Sequence, residues 1–283
     1  MKLTFQEVLQ RASLFLKEHN REEKVAELLL MYHAGFTKLD LIMHERDVVT
    51  ESIYQAFHAD LNQHVKTGIP IQHLTGKEFF YGRSYTVNSH VLIPRPETEE
   101  LVQAILQTAP TTHTPMHLID VGTGSGVIAI TLKLENPSLD VAACDISPEA
   151  LTVAEQNAVN LGADVQFFSS DFLDRWVYQR EQVEIIVANP PYISWADEPS
   201  LSDTVKNFDP QLALFAKENG LAAYMKIVEQ AKVVLKPGGL LFFEIGYQQA
   251  DAVSNLIKQH FPNSKIEVKQ DLNKKDRIII AKC

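Results

Sequence analysis

From residue 116 onward, short apolar runs alternate with segments whose apolar positions recur at helical spacing. The runs 116–120, 140–144, 165–169, 184–188, 239–245, 264–269 and 277–282 have the length and β-branched content of buried strands. Helices are expected in most gaps, beginning after Gly124, at Ser147-Pro148, near Asn219 and at Tyr247. Ser147 can cap its helix, and Pro148 then stands at the first helical position, where a missing N–H costs nothing. This alternation predicts a mostly parallel, doubly wound α/β sheet. Residues 1–66 read differently. Thr4 and Glu7 have the spacing of a capping box, ahead of an apolar stripe at Phe5, Val8, Leu9, Ala12, Phe15 and Leu16. A second helix is expected over 22–34, stopped by Gly35, and a third from Thr50 to about Lys66, before Gly68 and Pro70. Between the two patterns, Glu78-Phe79-Phe80-Tyr81 and Ser84-Tyr85-Thr86-Val87, separated by Gly82-Arg83, predict a hairpin. Leu92-Ile93-Pro94-Arg95-Pro96-Glu97 then leads into a helix with proline in its first turn.

Composition narrows the class little: 45% apolar and 22% charged residues are ordinary for a globular chain. No apolar run approaches a membrane span, and the first residues lack a signal peptide's apolar segment, so a cytoplasmic protein is expected. The two cysteines, Cys144 and Cys283, suit a reducing compartment and have no disulfide or metal spacing. Ten histidines without His/Cys clustering weigh against a metal site. Net charge is −10, which disfavours a phosphate-tracking surface. Residues 1–88 hold ten Lys/Arg and eleven Asp/Glu, a balance better suited to contacting protein than duplex DNA.

The chemistry is concentrated at strand ends. Asn189-Pro190-Pro191-Tyr192 follows the fourth apolar run, at the carboxyl end where open α/β sheets bind ligands. Asn189 offers an acceptor and two donors, and Pro190 a carbonyl on a restricted backbone. Together they can accept both hydrogens of a planar NH₂ group while Tyr192 bounds its face, which describes a holder for a carboxamide or an amino-base. The competing reading is an ordinary proline turn. Gly122-Thr123-Gly124-Ser125-Gly126 joins the first strand to its helix. The third glycine comes one residue too early for the dinucleotide fingerprint, whose place is taken by Val127. The spacing resembles instead the first motif of S-adenosyl-L-methionine-dependent methyltransferases, which receive an amino acid and nucleoside without a pyrophosphate. Asp145, nineteen residues after Gly126, can accept both ribose hydroxyls, a device shared with NAD enzymes. It can equally be a helix-entry residue. Asp171 and Phe172 can flank an adenine, with Phe172 as a core aromatic the alternative.

With these motifs in hand, the chain resembles the peptide chain release factor N5-glutamine methyltransferases, the PrmC or HemK family. The resemblance runs through Gly76-Lys77-Glu78-Phe79-Phe80-Tyr81-Gly82, Arg95-Pro96-Glu97-Thr98-Glu99, the 122–126 loop, Asn189-Pro190-Pro191-Tyr192, Phe243-Glu244-Ile245-Gly246 and Asp276-Arg277. It implies an N-terminal helical substrate-recognition domain (1–67), a β-hairpin linker (68–93) and a class I methyltransferase domain (94–283). The implied cofactor contacts are Gly122, Thr123, Gly124, Ser125, Gly126, Asp145, Phe172 and Asn189. The implied substrate contacts are Asn189, Pro190, Pro191 and Tyr192, with Asn189, Pro190 and Tyr192 carrying the chemistry. The implied substrate is the glutamine of the Gly-Gly-Gln motif in bacterial class 1 release factors. Two departures stand out: Asp209-Pro210 replaces the family's Glu-Pro, and the glycine common near position 274 is replaced by Lys274. A ribosomal-protein paralogue usually carries Arg-Ser-Pro where this chain has Arg95-Pro96-Glu97. Two rivals remain at this level: a nucleic-acid methyltransferase acting on adenine N6 or guanine N2, and a non-catalytic S-adenosyl-L-methionine-binding protein.

Overall fold

A computed structural model describes residues 3–109 and 115–283. The chain forms two compact units, Met1–Gly76 with Ser202–Phe208, and Lys77–Leu201 with Asp209–Cys283. The sequence expectation placed its boundary at 67/68 and kept 94–283 together.

In the first unit the helices are Phe5–Glu18, Lys24–Ala34, Lys38–Met43, Glu51–Thr67 and Ile71–Thr75. Thr4 and Glu7 form both halves of the capping box. Phe5, Val8, Ala12 and Leu16 turn the apolar face inward against Leu29, Leu30, Phe57 and Leu61. Lys38–Met43 was not anticipated; its signal is a second capping box, Thr37 with Asp40. The helix Asp203–Phe208 joins this unit through a hydrogen bond from Thr204 Oγ1 to the Gly68 carbonyl and an edge-on contact of Phe208 with His73.

The second unit opens with an antiparallel hairpin, β1 (Lys77–Phe80) and β2 (Arg83–Thr86). Buried Phe80 and Tyr85 and the 2.7 Å contact of the Tyr85 hydroxyl with Thr131 seat it on one of the two cores that flank the main sheet. The main sheet comprises β3 (His117–Val121), β4 (Asp140–Asp145), β5 (Gln166–Ser169) and β6 (Val183–Ala188), followed by β9 (Leu235–Glu244), β10 (Lys265–Gln270) and β11 (Asp276–Lys282). The two-residue strands β7 (Ile193–Ser194) and β8 (Phe215–Ala216) pair separately. Sheet order is β10-β11-β9-β6-β3-β4-β5, with β11 antiparallel to both neighbours and the remaining strands mutually parallel. Alternate residues of the strands enter opposite cores. Leu118, Ile185, Val187 and Phe242 pack beneath the helices Pro96–Thr108 and Val127–Glu135. Ile119, Ile186, Leu241 and Phe243 pack beneath Ala222–Val234 and Ala250–His260. Burial on both faces is why these strands read as unbroken apolar runs.

The register positions the site. Val121 pairs with Cys144 on one side and Ala188 on the other, and Ala188 pairs with Phe243. The next residues, Gly122, Asp145, Asn189 and Glu244, therefore emerge side by side. After β3 the chain builds β4 and β5 on one flank, then returns to place β6 on the other, so β3 and β6 bracket the topological switch point where ligands bind in such sheets.

Candidate active site

At this switch point lies a cavity of about 310 Å³. Of the residues singled out by sequence, Gly122, Thr123, Gly124, Ser125, Asp145, Phe172, Asn189, Pro190 and Pro191 line it. Gly126 and Tyr192 do not. Gly126 faces Ile130 and Ala154, so it sets helix packing behind the loop. The Tyr192 carbonyl accepts from Gln249 Nε2 at 3.0 Å, and its partly buried ring packs against the second core cluster beside Gly246. Burial, reinforced by the nearby Glu244 carboxyl, pushes the Tyr192 phenol up to about 12.

The glycine loop is held from below. Gly122 N and Thr123 N both donate to the Cys144 carbonyl at 2.9 Å, and Thr123 Oγ1 donates to Asp120 Oδ2 at 2.6 Å. Asp120 also accepts from Ala129 N at 3.2 Å and so ties the loop to the start of its helix. Its carboxyl is buried, and burial pushes it up to about 7. Asp145 Oδ2 accepts from Gly124 N and Oδ1 from Ser147 N, each at 2.9 Å. A carboxylate has about four acceptor positions, so capacity for two more donors, such as vicinal hydroxyls, remains. Asp145 thus organises the helix entry and also lines the cavity. Asp171 pairs with Lys226, whose ammonium lies 5.5 Å from the Phe172 ring centroid. Asp171 is therefore ion-paired rather than fully available to an adenine amine.

A buried chain of polar groups lies behind Asn189. Its Nδ2 donates to Thr98 Oγ1 at 3.2 Å, and Thr98 Oγ1 donates to Glu244 Oε2 at 2.7 Å. Burial pushes the Glu244 carboxyl up to about 7, with Arg277 opposing the shift. At the cavity rim Arg95 Nη2 donates to Asp209 Oδ2 at 2.7 Å, so the shorter acid at 209 still reaches its partner. Sequence reasoning gave no role to Thr98, Glu244, Gln249 or the Arg95–Asp209 pair. The available signal was a lone carboxylate closing the apolar run Leu240-Leu241-Phe242-Phe243.

Residues 7–76 match the PrmC N-terminal domain and residues 98–205 the methyltransferase small domain. The release factor glutamine methyltransferase of Bacillus subtilis (strain 168) is 43% identical over 284 residues, covering 99% of this chain and 98% of that protein. The chain belongs to the release factor glutamine methyltransferase family. Another member, from Staphylococcus aureus (strain NCTC 8325 / PS 47), is 38% identical over 280 residues, with 99% of each chain covered. Among solved structures, a methyltransferase from Pyrococcus furiosus aligns with a TM-score of 0.51 at 13% identity, covering 72% of this chain and 90% of that one. The Thermus thermophilus 16S rRNA N2 G1207 methyltransferase RsmC, in complex with AdoMet and guanosine, aligns at 0.50 with 17% identity, covering 73% and 49%. These two share the fold and no more. As a release factor glutamine methyltransferase, the protein uses S-adenosyl-L-methionine and has the class I α/β fold expected from its sequence. The cavity suits that group: a Cβ added at Gly122 or Gly124 would meet nothing within 4 Å, leaving the backbone open to a ligand beside the Asp145 acceptors. Among the described residues, no helix is long and apolar enough to cross a membrane.

Proposed function

We propose that the enzyme methylates the side-chain amide nitrogen of the glutamine in the Gly-Gly-Gln motif of class 1 release factors. The observation that carries this reading is the pairing of Val121 with Ala188, which sets the glycine loop and Asn189 side by side in one cavity. When bound, S-adenosyl-L-methionine supplies an activated methyl group on a sulfonium that loses its charge on transfer. Gly122, Thr123, Gly124, Ser125, Asp145 and Phe172 hold it. Asn189 Oδ1 and the Pro190 carbonyl each accept one N–H of the glutamine amide, with Pro191 and Tyr192 shaping the seat. An amide nitrogen is a poor nucleophile, so fixing it in line with the methyl carbon matters most. The bond from methyl to sulfur breaks as that to nitrogen forms, and the nitrogen, then strongly acidic, releases its extra proton afterwards. Positioning of this kind supplies up to about 7–11 kcal/mol in favourable cases. Tyr192 backs the tetrapeptide from the core side and does not act as a base, because its phenol stays protonated up to about 12. The apolar enclosure helps by excluding water.

The helical first unit is assigned to gripping the release factor, and the setting to the cytoplasm, where Cys144 and Cys283 stay reduced. A net charge of −10 supports a protein acceptor over a nucleic acid. Mass spectrometry of the Gly-Gly-Gln peptide, after release factor is incubated with enzyme and S-adenosyl-L-methionine, should show one added methyl group on glutamine. Label from tritiated S-adenosyl-L-methionine entering nucleic acid, with none in release factor, would establish the base-methylating alternative. No label in either would favour a binding protein.

A further inference from the structure

We propose that Thr98 and Glu244 are positioning residues that lock the Asn189 side-chain amide in the one orientation that presents its oxygen to substrate. The inference rests on the reading of Asn189 as an acceptor for the glutamine amide.

The argument is one of proton direction. An asparagine amide is nearly symmetric in shape, and a half-turn about its last torsion exchanges a donor for an acceptor. Something must choose between the two. Thr98 is 3% exposed and Glu244 2%, so neither can turn to water for a partner. Thr98 Oγ1 lies 2.7 Å from Glu244 Oε2 and 3.2 Å from Asn189 Nδ2. A hydroxyl carries one hydrogen, and an ionised carboxylate can only accept. With Glu244 ionised, the Thr98 hydrogen is committed to it, and the oxygen that faces Asn189 can only accept. Asn189 must then point its NH₂ group at Thr98. The oxygen is left as the end available to a substrate N–H. Reversed, the side chain would set its own N–H against that of the substrate, two donors with no acceptor between them.

The fold builds this arrangement from three elements. Asn189 and Glu244 follow the paired residues Ala188 and Phe243 on neighbouring strands. Thr98 comes from the first turn of the helix Pro96–Thr108. Around Glu244 stand Glu97 on that helix, Arg277 on β11, Tyr192 after β6, and Tyr224, whose hydroxyl donates to the Glu244 backbone carbonyl at 2.8 Å. Arg277 favours the ionised form that the relay needs, and Glu97 opposes it.

Thr98→Val removes the hydroxyl and keeps the shape; Thr98→Ser keeps the hydroxyl. With release factor as substrate, Thr98→Val should lower kcat by about 10- to 100-fold, the equivalent of one mispaired buried hydrogen bond. S-adenosyl-L-methionine affinity, measured by calorimetry, should stay at the wild-type value, and Thr98→Ser should recover most of kcat. The wild-type kcat should also fall on the acid side as Glu244 takes up a proton and becomes able to donate to Thr98. Glu244→Gln, which cannot titrate, should lose that limb. If Thr98→Val turns over like wild type, if cofactor affinity falls in parallel with kcat, if Thr98→Ser is no better than Thr98→Val, or if the acid limb survives Glu244→Gln, the relay is wrong. Asn189→Ala separates the two levels. Should it remain fully active, the amide-acceptor reading itself fails; should it be inactive while Thr98→Val is normal, only the relay fails.

Discussion

Gly220 is the residue whose replacement reports most sharply on how tightly the seat behind the active site is built. It ends Lys217–Gly220, in which Glu218, Asn219 and Gly220 all have positive φ, at 54°, 54° and 85°. A Cβ at 220 would penetrate the Tyr192 carbonyl oxygen, and would lie 2.7 Å from Gln249 Nε2 and 2.9 Å from the Tyr192 carbonyl carbon. Alanine in left-handed backbone costs about 1–2 kcal/mol. Relieving a clash with main chain adds about 1–3 kcal/mol, and losing the Gln249–Tyr192 hydrogen bond about 1 kcal/mol. Gly220→Ala should therefore lose about 3–6 kcal/mol of stability, a Tm drop of roughly 6–24 °C for a unit of this size. Because the displaced atoms belong to the tetrapeptide, kcat should fall while S-adenosyl-L-methionine still binds. Gly124→Ala is the contrasting case. At φ +56° it incurs the backbone penalty alone, since its Cβ meets nothing within 4 Å, but that Cβ enters the cradle. It should weaken cofactor binding while costing only about 1–2 kcal/mol of stability. Thermal melts, calorimetry and initial rates on the two variants are the assay. A Gly220→Ala enzyme that melts and turns over like wild type would refute the reasoning.

Three further outcomes follow from the same geometry. Asp145→Ala removes two acceptors for the cofactor, each bond to a charged acceptor being worth about 1.5–3 kcal/mol; calorimetry should show affinity reduced by roughly a hundredfold or more. Lys274 sits at φ +59° in the turn held by Asp271, whose Oδ1 accepts from Asn273 N and Lys275 N. Lys274→Gly should raise the urea midpoint by the equivalent of about 1 kcal/mol, the left-handed penalty less glycine's extra chain entropy. The Asp120 carboxyl moves from an ordinary 3.8 to about 7 on folding. The unfolded chain thus ionises first, and stability falls as pH rises between about 4 and 7, by on the order of 4 kcal/mol from this group. Asp120→Asn should flatten that part of the stability–pH curve, as read by urea unfolding at a series of pH values.

The central strands β3, β6 and β9 were legible because burial on both faces leaves contiguous apolar runs, and most strand boundaries shift by only a residue or two in the structure. The start at Ser147-Pro148 is realised, with Ala150 N donating to Ser147 Oγ at 3.1 Å. The helix expected near Asn219 begins instead at Ala222, since the preceding residues form a left-handed turn that leaves no period in sequence. Lys38–Met43 and Asp203–Phe208 span less than two turns each, too short for a periodic stripe to show. The site divides along similar lines. Gly122, Asp145 and Asn189 were readable because each closes or directly follows a strand, so one register brings them together. Thr98 and Glu244 lie 146 residues apart, and nothing local tells either that the other is its partner. Lys274 was visible as a departure from a glycine, and its positive φ gives the physical reason a glycine suits that turn.

The most direct measurement is a crystal structure of the enzyme with a Gly-Gly-Gln peptide and the demethylated cofactor. The glutamine nitrogen should lie about 3 Å from both Asn189 Oδ1 and the Pro190 carbonyl, with the cofactor sulfur facing it across the glycine loop. A glutamine nitrogen bound by other groups, or an Asn189 amide turned with Nδ2 toward the peptide, would contradict the account.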